Sequence, residues 1–171
     1  MRYKRKGEIT VFLTLILTVI VGFYLSLSSL AQRYVAKSEA TYALECAVRS
    51  CFAEYNRELF EKYHILLIDS SFMSPEGGID RIEDHFSMYL TNSLVANEIC
   101  DVSVSVREGT KPVKEKYGIT EDVIGYMKEN SSPGFDPENC FDDLIFTATF
   151  NSPSTGTYSI TRQYSYEDKS M

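Results

Sequence analysis

The sequence predicts an α+β fold. A long amino-terminal membrane-spanning helix continues into an amphipathic stem, and the stem packs on a small antiparallel sheet with two shorter helices. Three observations predict it. Ile9 to Ala31 runs 23 residues without a charge. Leu44, Val48, Cys51, Tyr55 and Leu59 then recur at spacings of four, three, four and four, an apolar stripe on one face of a helix. Residues 143–166 alternate apolar and polar positions on both sides of a Ser, Pro and Gly turn, the strongest hairpin signal in the chain.

At about 1.5 Å per residue the uncharged run makes a helix of roughly 35 Å, enough to cross a bilayer with some tilt. Arg2, Lys4, Arg5 and Lys6 precede it, and only Arg33, Lys37 and Arg49 follow nearby. The positive-inside bias therefore places residues 1–8 in the cytoplasm and everything beyond the span outside. A cleavable export signal is the rival reading, because Ser29-Leu30-Ala31 before Gln32 offers small residues where a signal peptidase reads. Secretory apolar regions are about 7–15 residues long, so the length of this run favours a retained anchor. Thr10, Thr14 and Thr18 step along one face of it, the pattern of a surface that packs on other helices; each hydroxyl can alternatively bond its own i−4 carbonyl.

From Gln32 to Tyr63 there is neither Pro nor Gly, so the helix is expected to continue outward through residues 32–63 as an extracytoplasmic stem. Residues 64–171 form the remaining extracytoplasmic α+β domain. In it, 64–72 read as a short apolar strand and 77–97 as a helix carrying Ile79, Ile82, Phe86, Tyr89, Leu90 and Leu94. Residues 99–108 alternate Val102, Val104 and Val106 with small polar residues, a half-buried strand. Residues 120–130 are a shorter helix with Thr120 as cap, and 131–139 a loop.

Residues 34–171 hold 12 of the 17 basic and 23 of the 24 acidic residues, a net charge of −11. Such a body repels phosphate backbones, which weighs against nucleic acid as a partner. The two histidines sit in no zinc-protease pattern, no Gly-x-Ser-x-Gly turn occurs, and Gly77-Gly78 is turn chemistry, not a phosphate loop. The stretch around His85, with Glu83 and Asp84, reads as a solvated acidic face. No enzyme, cofactor, metal or small-molecule substrate is expected. The 12 Tyr and 10 Phe with no Trp fit either an adhesive surface or a β-rich core.

Outside the cytoplasm the four cysteines tend toward disulfides. Cys46 and Cys51 lie about 140° apart around a helix and are poor partners for each other. Pairing of either with Cys100 or Cys140 would staple the sheet to the stem, and Cys46 can instead stay a thiol or bridge to another subunit.

A basic start, an apolar helix extending into a stem, and a small sheet domain resemble the pilin-like architecture of type IV pili. The wording "KGEITVFLTLILTVI" is similar to the start of minor-pilin-like (TadE/TadG-like pseudopilin) proteins of Gram-positive tight-adherence (Tad) pilus loci. It resembles in particular a family that continues through "CFAEYNRELFEKYHILLID" to a motif like "EDVIGYMKE", over roughly residues 5–130. The resemblance implies a role in assembling or initiating a surface fibre, with other pilin or pseudopilin stems, pilus assembly proteins and the membrane as partners. It also marks Gly7 and Glu8 as processing candidates, since pilin precursors are cut after a Gly. The sequence departs from that pattern: Glu8 follows Gly7 at once, and Phe12 stands at the fifth position, where the family's Glu belongs. A membrane-tethered or secreted module recognising an envelope ligand is the alternative function.

Overall fold

The computed structural model describes residues 4–70, 78–94, 99, 101–109, 120–130, 140–153 and 155–166. It is α+β. A 50-residue helix α1 (Lys4–Ala53) is followed by α2 (Arg57–Tyr63), β1 (Ile68–Asp69), α3 (Ile79–Ser93), β2 (Asp101–Glu108), α4 (Glu121–Asn130), β3 (Cys140–Phe141), β4 (Asp143–Ser152) and β5 (Gly156–Ser165).

The helix does not run unbroken to Tyr63. It ends at Ala53, and α2 starts afresh under an Asn56 cap whose side-chain oxygen accepts the Leu59 N–H at 3.1 Å. Asn56 also donates to Asp69 at 2.7 Å, and Tyr55 forms a β-bridge with Ile68. Asn favours a cap over a helix interior because its side chain competes for local backbone groups. Glu58 in the first turn and Lys62 in the last suit the helix dipole and pair with each other. His64 closes α2 in the left-handed region (φ 55°), its N–H bonded to Phe60.

Strands β2, β4 and β5 form an antiparallel sheet with β4 in the centre, and β1 pairs with β3 as a separate two-stranded ladder. Of the predicted strand at 64–72, residues 71 and 72 lie outside the described residues, and within 64–70 two residues, Ile68 and Asp69, pair with β3, which is too short to show alternation in sequence. Registers Val102↔Phe150, Val104↔Ala148 and Val106↔Phe146, with Ala148↔Ile160, put every second residue on one face. Leu144, Phe146, Ala148 and Phe150 of β4 are fully buried there. Gly156, which opens β5 opposite Ser152, has φ +73°, the left-handed region that favours glycine. At the far end Gly109 donates to Asp143 O at 2.8 Å, and a Cβ there would lie 2.2 Å from the Asp143 side chain.

The buried face of the sheet closes on α1 and α3. Phe86 of α3 lies 4.9 Å from Phe146 between ring centroids, and Phe52 of α1 lies 4.5 Å from Tyr164 and 4.8 Å from Tyr166. Burying one such ring stabilises the fold by about 1.5–3 kcal/mol. Two tyrosines fix the direction of β5 against α1. Tyr158 donates to Ala36 O and Tyr166 to Phe52 O. The sixteen-residue step along α1 covers about 24 Å, and the eight-residue step along β5 about 26 Å. Strand and helix therefore run side by side in the same direction.

Candidate functional site

The feature that sets this chain apart is α1, whose two stretches differ in burial. From Ile9 to Val35 its large apolar side chains are exposed on every side, including Phe12, Leu17, Ile20, Phe23 and Leu30. This is a candidate membrane span by length and composition, near the amino terminus. From Ala36 to Phe52 one face is buried: Ala36, Ala40, Ala43, Leu44, Ala47, Val48, Cys51 and Phe52. The helix thus becomes one wall of the head's core.

Within the span, Thr14 Oγ1 donates to Thr10 O at 2.8 Å, and Thr18 Oγ1 to Thr14 O at 2.8 Å. Ser26 does the same to Gly22 O at 2.9 Å. These hydroxyls are satisfied by their own helix, so in lipid they demand no polar partner. What remains is shape. Thr10, Thr14, Thr18, Gly22 and Ser26 form an i+4 row of small side chains, and nothing lies within 4 Å of a Cβ added at Gly22. Gly22 and Ser26 continue the predicted threonine row; carrying the same spacing two steps further would have found them. Gly7 and Glu8 lie on α1, and their side chains lie outside the described residues.

The predicted stem face divides. Leu44, Val48 and Cys51 are buried in the main core, as their spacing predicts. Tyr55 is 38% exposed, because the helix ends before it, and stacks edge-on with Phe60. Leu59 is buried in a second small cluster with Leu67 and Cys140. The sequence reading missed the alanines, which let the sheet and α3 approach α1 closely, and Phe52, whose ring fills the upper core.

Cys46, Cys51 and Cys140 form no disulfide with one another, which corrects the expected staple among them; Cys100 lies outside the described residues. Cys46 is half-buried and Cys51 fully buried. Burial, and secondarily the nearby Glu54 charge, push the Cys51 thiol up to about 12. Such a thiol is inert as a nucleophile.

At the end of α1, Glu54 gathers two groups from α3. His85 Nδ1 lies 2.8 Å from Glu54 Oε2 and therefore donates, since an ionised carboxylate only accepts; Tyr89 donates its phenol proton to Glu54 Oε1. The hydrogen bond to Glu54, then burial, push the Tyr89 phenol up to about 12. Glu83 accepts the Val106 N–H at 3.0 Å. The stretch read as a solvated acidic face is therefore largely structural, and of its charged residues Asp84 alone is exposed. Glu54, His85 and Tyr89 clamp α3 to the end of α1. Among the described residues no three His, Cys, Asp or Glu groups are placed to hold a metal ion.

On the side of α1 away from the head, Tyr34, Lys37, Ser38, Thr41, Tyr42 and Glu45 line a shallow open groove. Tyr34 is 77% and Tyr42 70% exposed. Compared with known proteins, the chain matches no family model, no curated protein and no solved structure.

Proposed function

We propose that this chain is a single-pass, pseudopilin-like component of a tight-adherence, type IV-like surface pilus. Its amino terminus is cytoplasmic and its head extracytoplasmic. Its work is assembly or initiation by packing of stem helices with other pilin or pseudopilin stems and assembly proteins, without catalytic turnover. One observation carries this reading: the same helix that is exposed and apolar over a bilayer's thickness becomes, without interruption, a wall of the head's core. A head built on its anchor moves as one body with it, so contacts between anchors set how heads are arrayed. The small-residue row from Thr10 to Ser26 supports close helix approach in lipid.

A membrane-tethered binding module is the second reading, favoured by the outer face of the sheet. There Thr147 meets Thr161 at 3.1 Å and Thr149 meets Ser159 at 2.8 Å, flanked by exposed Ser103 and Ser105, a flat hydroxyl surface.

The test is the amino-terminal sequence and intact mass of the protein recovered from its native membranes. A start at Glu8 means that a prepilin-type peptidase has acted and supports the pilus subunit. A start at Met1 supports a permanent anchor, hence an assembly factor outside the fibre. A start at Gln32 removes the span and overturns the proposal in favour of a secreted binding module.

A further inference from the structure

We infer that the tip of the β4–β5 hairpin, at residues 151–153 and 155–157, is a second membrane contact, resting against the headgroup layer of the bilayer that α1 spans. The inference rests on Ile9–Ala31 crossing that bilayer.

The argument is one of height along α1. Ala31 ends the uncharged run, and Ala36, five residues on, lies about 7.5 Å higher. Tyr158 of β5 is tied to Ala36 O, and β5 runs upward beside α1, as the second tie from Tyr166 to Phe52 requires. Going back from Tyr158 toward the turn therefore goes down. Three residues of strand and turn separate Tyr158 from Thr155, a descent of about 10 Å. That brings the turn level with the end of the span. Headgroups occupy roughly 5–7 Å on each side of the hydrocarbon, so the tip lies at the inner edge of that layer.

The composition of the tip fits the place. Asn151-Ser152-Pro153-Ser154-Thr155-Gly156-Thr157 carries no charge in a body of net charge −11. An acidic turn at this height would be repelled by anionic headgroups and desolvated beside hydrocarbon. Small hydroxyl and amide groups can exchange water for phosphate and glycerol oxygens at little cost. Arg33, about 3 Å above Ala31 by the rise of α1, suits anionic phosphates at this level; Asp101 pairs with Asn151 at the same height, one strand across the sheet. The opposite end of the sheet, where Asp143 pairs with Ser165 and Gln163 donates to Asp143 at 3.0 Å, lies far above the bilayer.

The chain has no tryptophan, so a single introduced one reports its own depth. Full-length F23W, T155W and Q163W variants are reconstituted into vesicles of phosphatidylcholine and phosphatidylglycerol, with and without lipids brominated near the top of the acyl chain. The expected result is strong quenching of F23W, at least twofold quenching of T155W, and none of Q163W. Quenched F23W with unquenched T155W overturns the hairpin contact and leaves the span standing. Equal quenching of T155W and Q163W also overturns it, because the head would then lie on its side. Unquenched F23W removes the span and the inference with it.

Discussion

The phenol of Tyr166 donates a 2.7 Å hydrogen bond to the main-chain carbonyl of Phe52, a residue 114 positions earlier. Phe52 lies in the last turn of α1, where carbonyls have no partner within the helix. Both residues are buried, so water cannot take the place of the phenol. The residue just beyond the last strand thus caps the helix that begins the fold. Tyr166→Phe leaves that carbonyl unsatisfied and should cost about 1–3 kcal/mol. Urea unfolding of the full chain in detergent micelles, followed by circular dichroism, reads the loss as a lower midpoint at unchanged slope. An unchanged midpoint would contradict the capping role.

The alanine face of α1 gives a second, opposite kind of sensitivity. Ala40, Ala43 and Ala47 have no exposed surface, and the space beyond each is filled by the sheet or α3. Ala43→Leu and Ala47→Leu add bulk where none fits and should each destabilise by about 1–3 kcal/mol. Tyr42→Leu on the opposite side should stay within about 0.5 kcal/mol. Thermal melts of the three variants decide it; equal effects at positions 42 and 43 would mean that the helix is turned differently against the head.

The sequence made the elements with strong periods legible. The valines of β2 face the core as their alternation predicts, and Ile82, Phe86 and Leu90 of α3 are buried at their helical spacing. The hairpin stands where its turn residues put it. The end of α1 was not legible, because nothing in residues 32–63 breaks a helix by propensity. The break comes from tertiary partners, Asp69 for the Asn56 side chain and Ile68 for the Tyr55 backbone. The two-residue strands β1 and β3 are too short to show a period. Alanines were passed over because a stripe is usually traced through large side chains, yet close packing here depends on small ones. The Glu54 cluster joins residues 31 and 35 positions apart, a distance over which sequence spacing carries no signal.

Alkaline pH should loosen the fold through two groups. Cys51 titrates at about 12 in the folded chain, raised by burial, and Tyr89 at about 12, raised by its bond to Glu54. Unfolded, the thiol titrates near about 8.5 and the phenol near about 10. Both folded values are raised, so their stabilisation is complete below the unfolded values and is lost as pH climbs toward about 12. Stability against urea should therefore fall steadily above about pH 9. In C51A the early part of that fall should be absent, and an unchanged profile would show that the thiol titrates normally. At pH 8, iodoacetamide should modify Cys46 well before Cys51, read by peptide mass.

Glu54→Gln separates the clamp from simple packing. The amide keeps the shape of the carboxylate and removes its charge, leaving Tyr89 a neutral and weaker acceptor, so the bond that chiefly raises its phenol is weakened. In an absorbance titration at 295 nm, one of the 12 tyrosines should move from about 12 toward the ordinary range. A titration identical to that of the unaltered chain would show that Glu54 does not hold the phenol.

Under the proposed packing of anchors, the threonine row separates shape from hydrogen bonding as its means. Thr14 and Thr18 already donate to carbonyls one turn below, so a neighbouring helix gains no hydroxyl from them. A row that works by close approach should tolerate Val, which keeps the branched shape, and should fail with Leu, which holds the partner backbone away. The expected outcome is that T14V/T18V associates as the unaltered chain does, and that T10L/T14L/T18L loses most of its association. Cross-linking in native membranes, with the Tm of the head as a control, measures both. Loss of association in the Val pair as well would mean that the hydroxyls leave their own helix to bond a partner. Full association of the Leu variant would remove this face as a packing surface, and with it the principal support for assembly through the anchor.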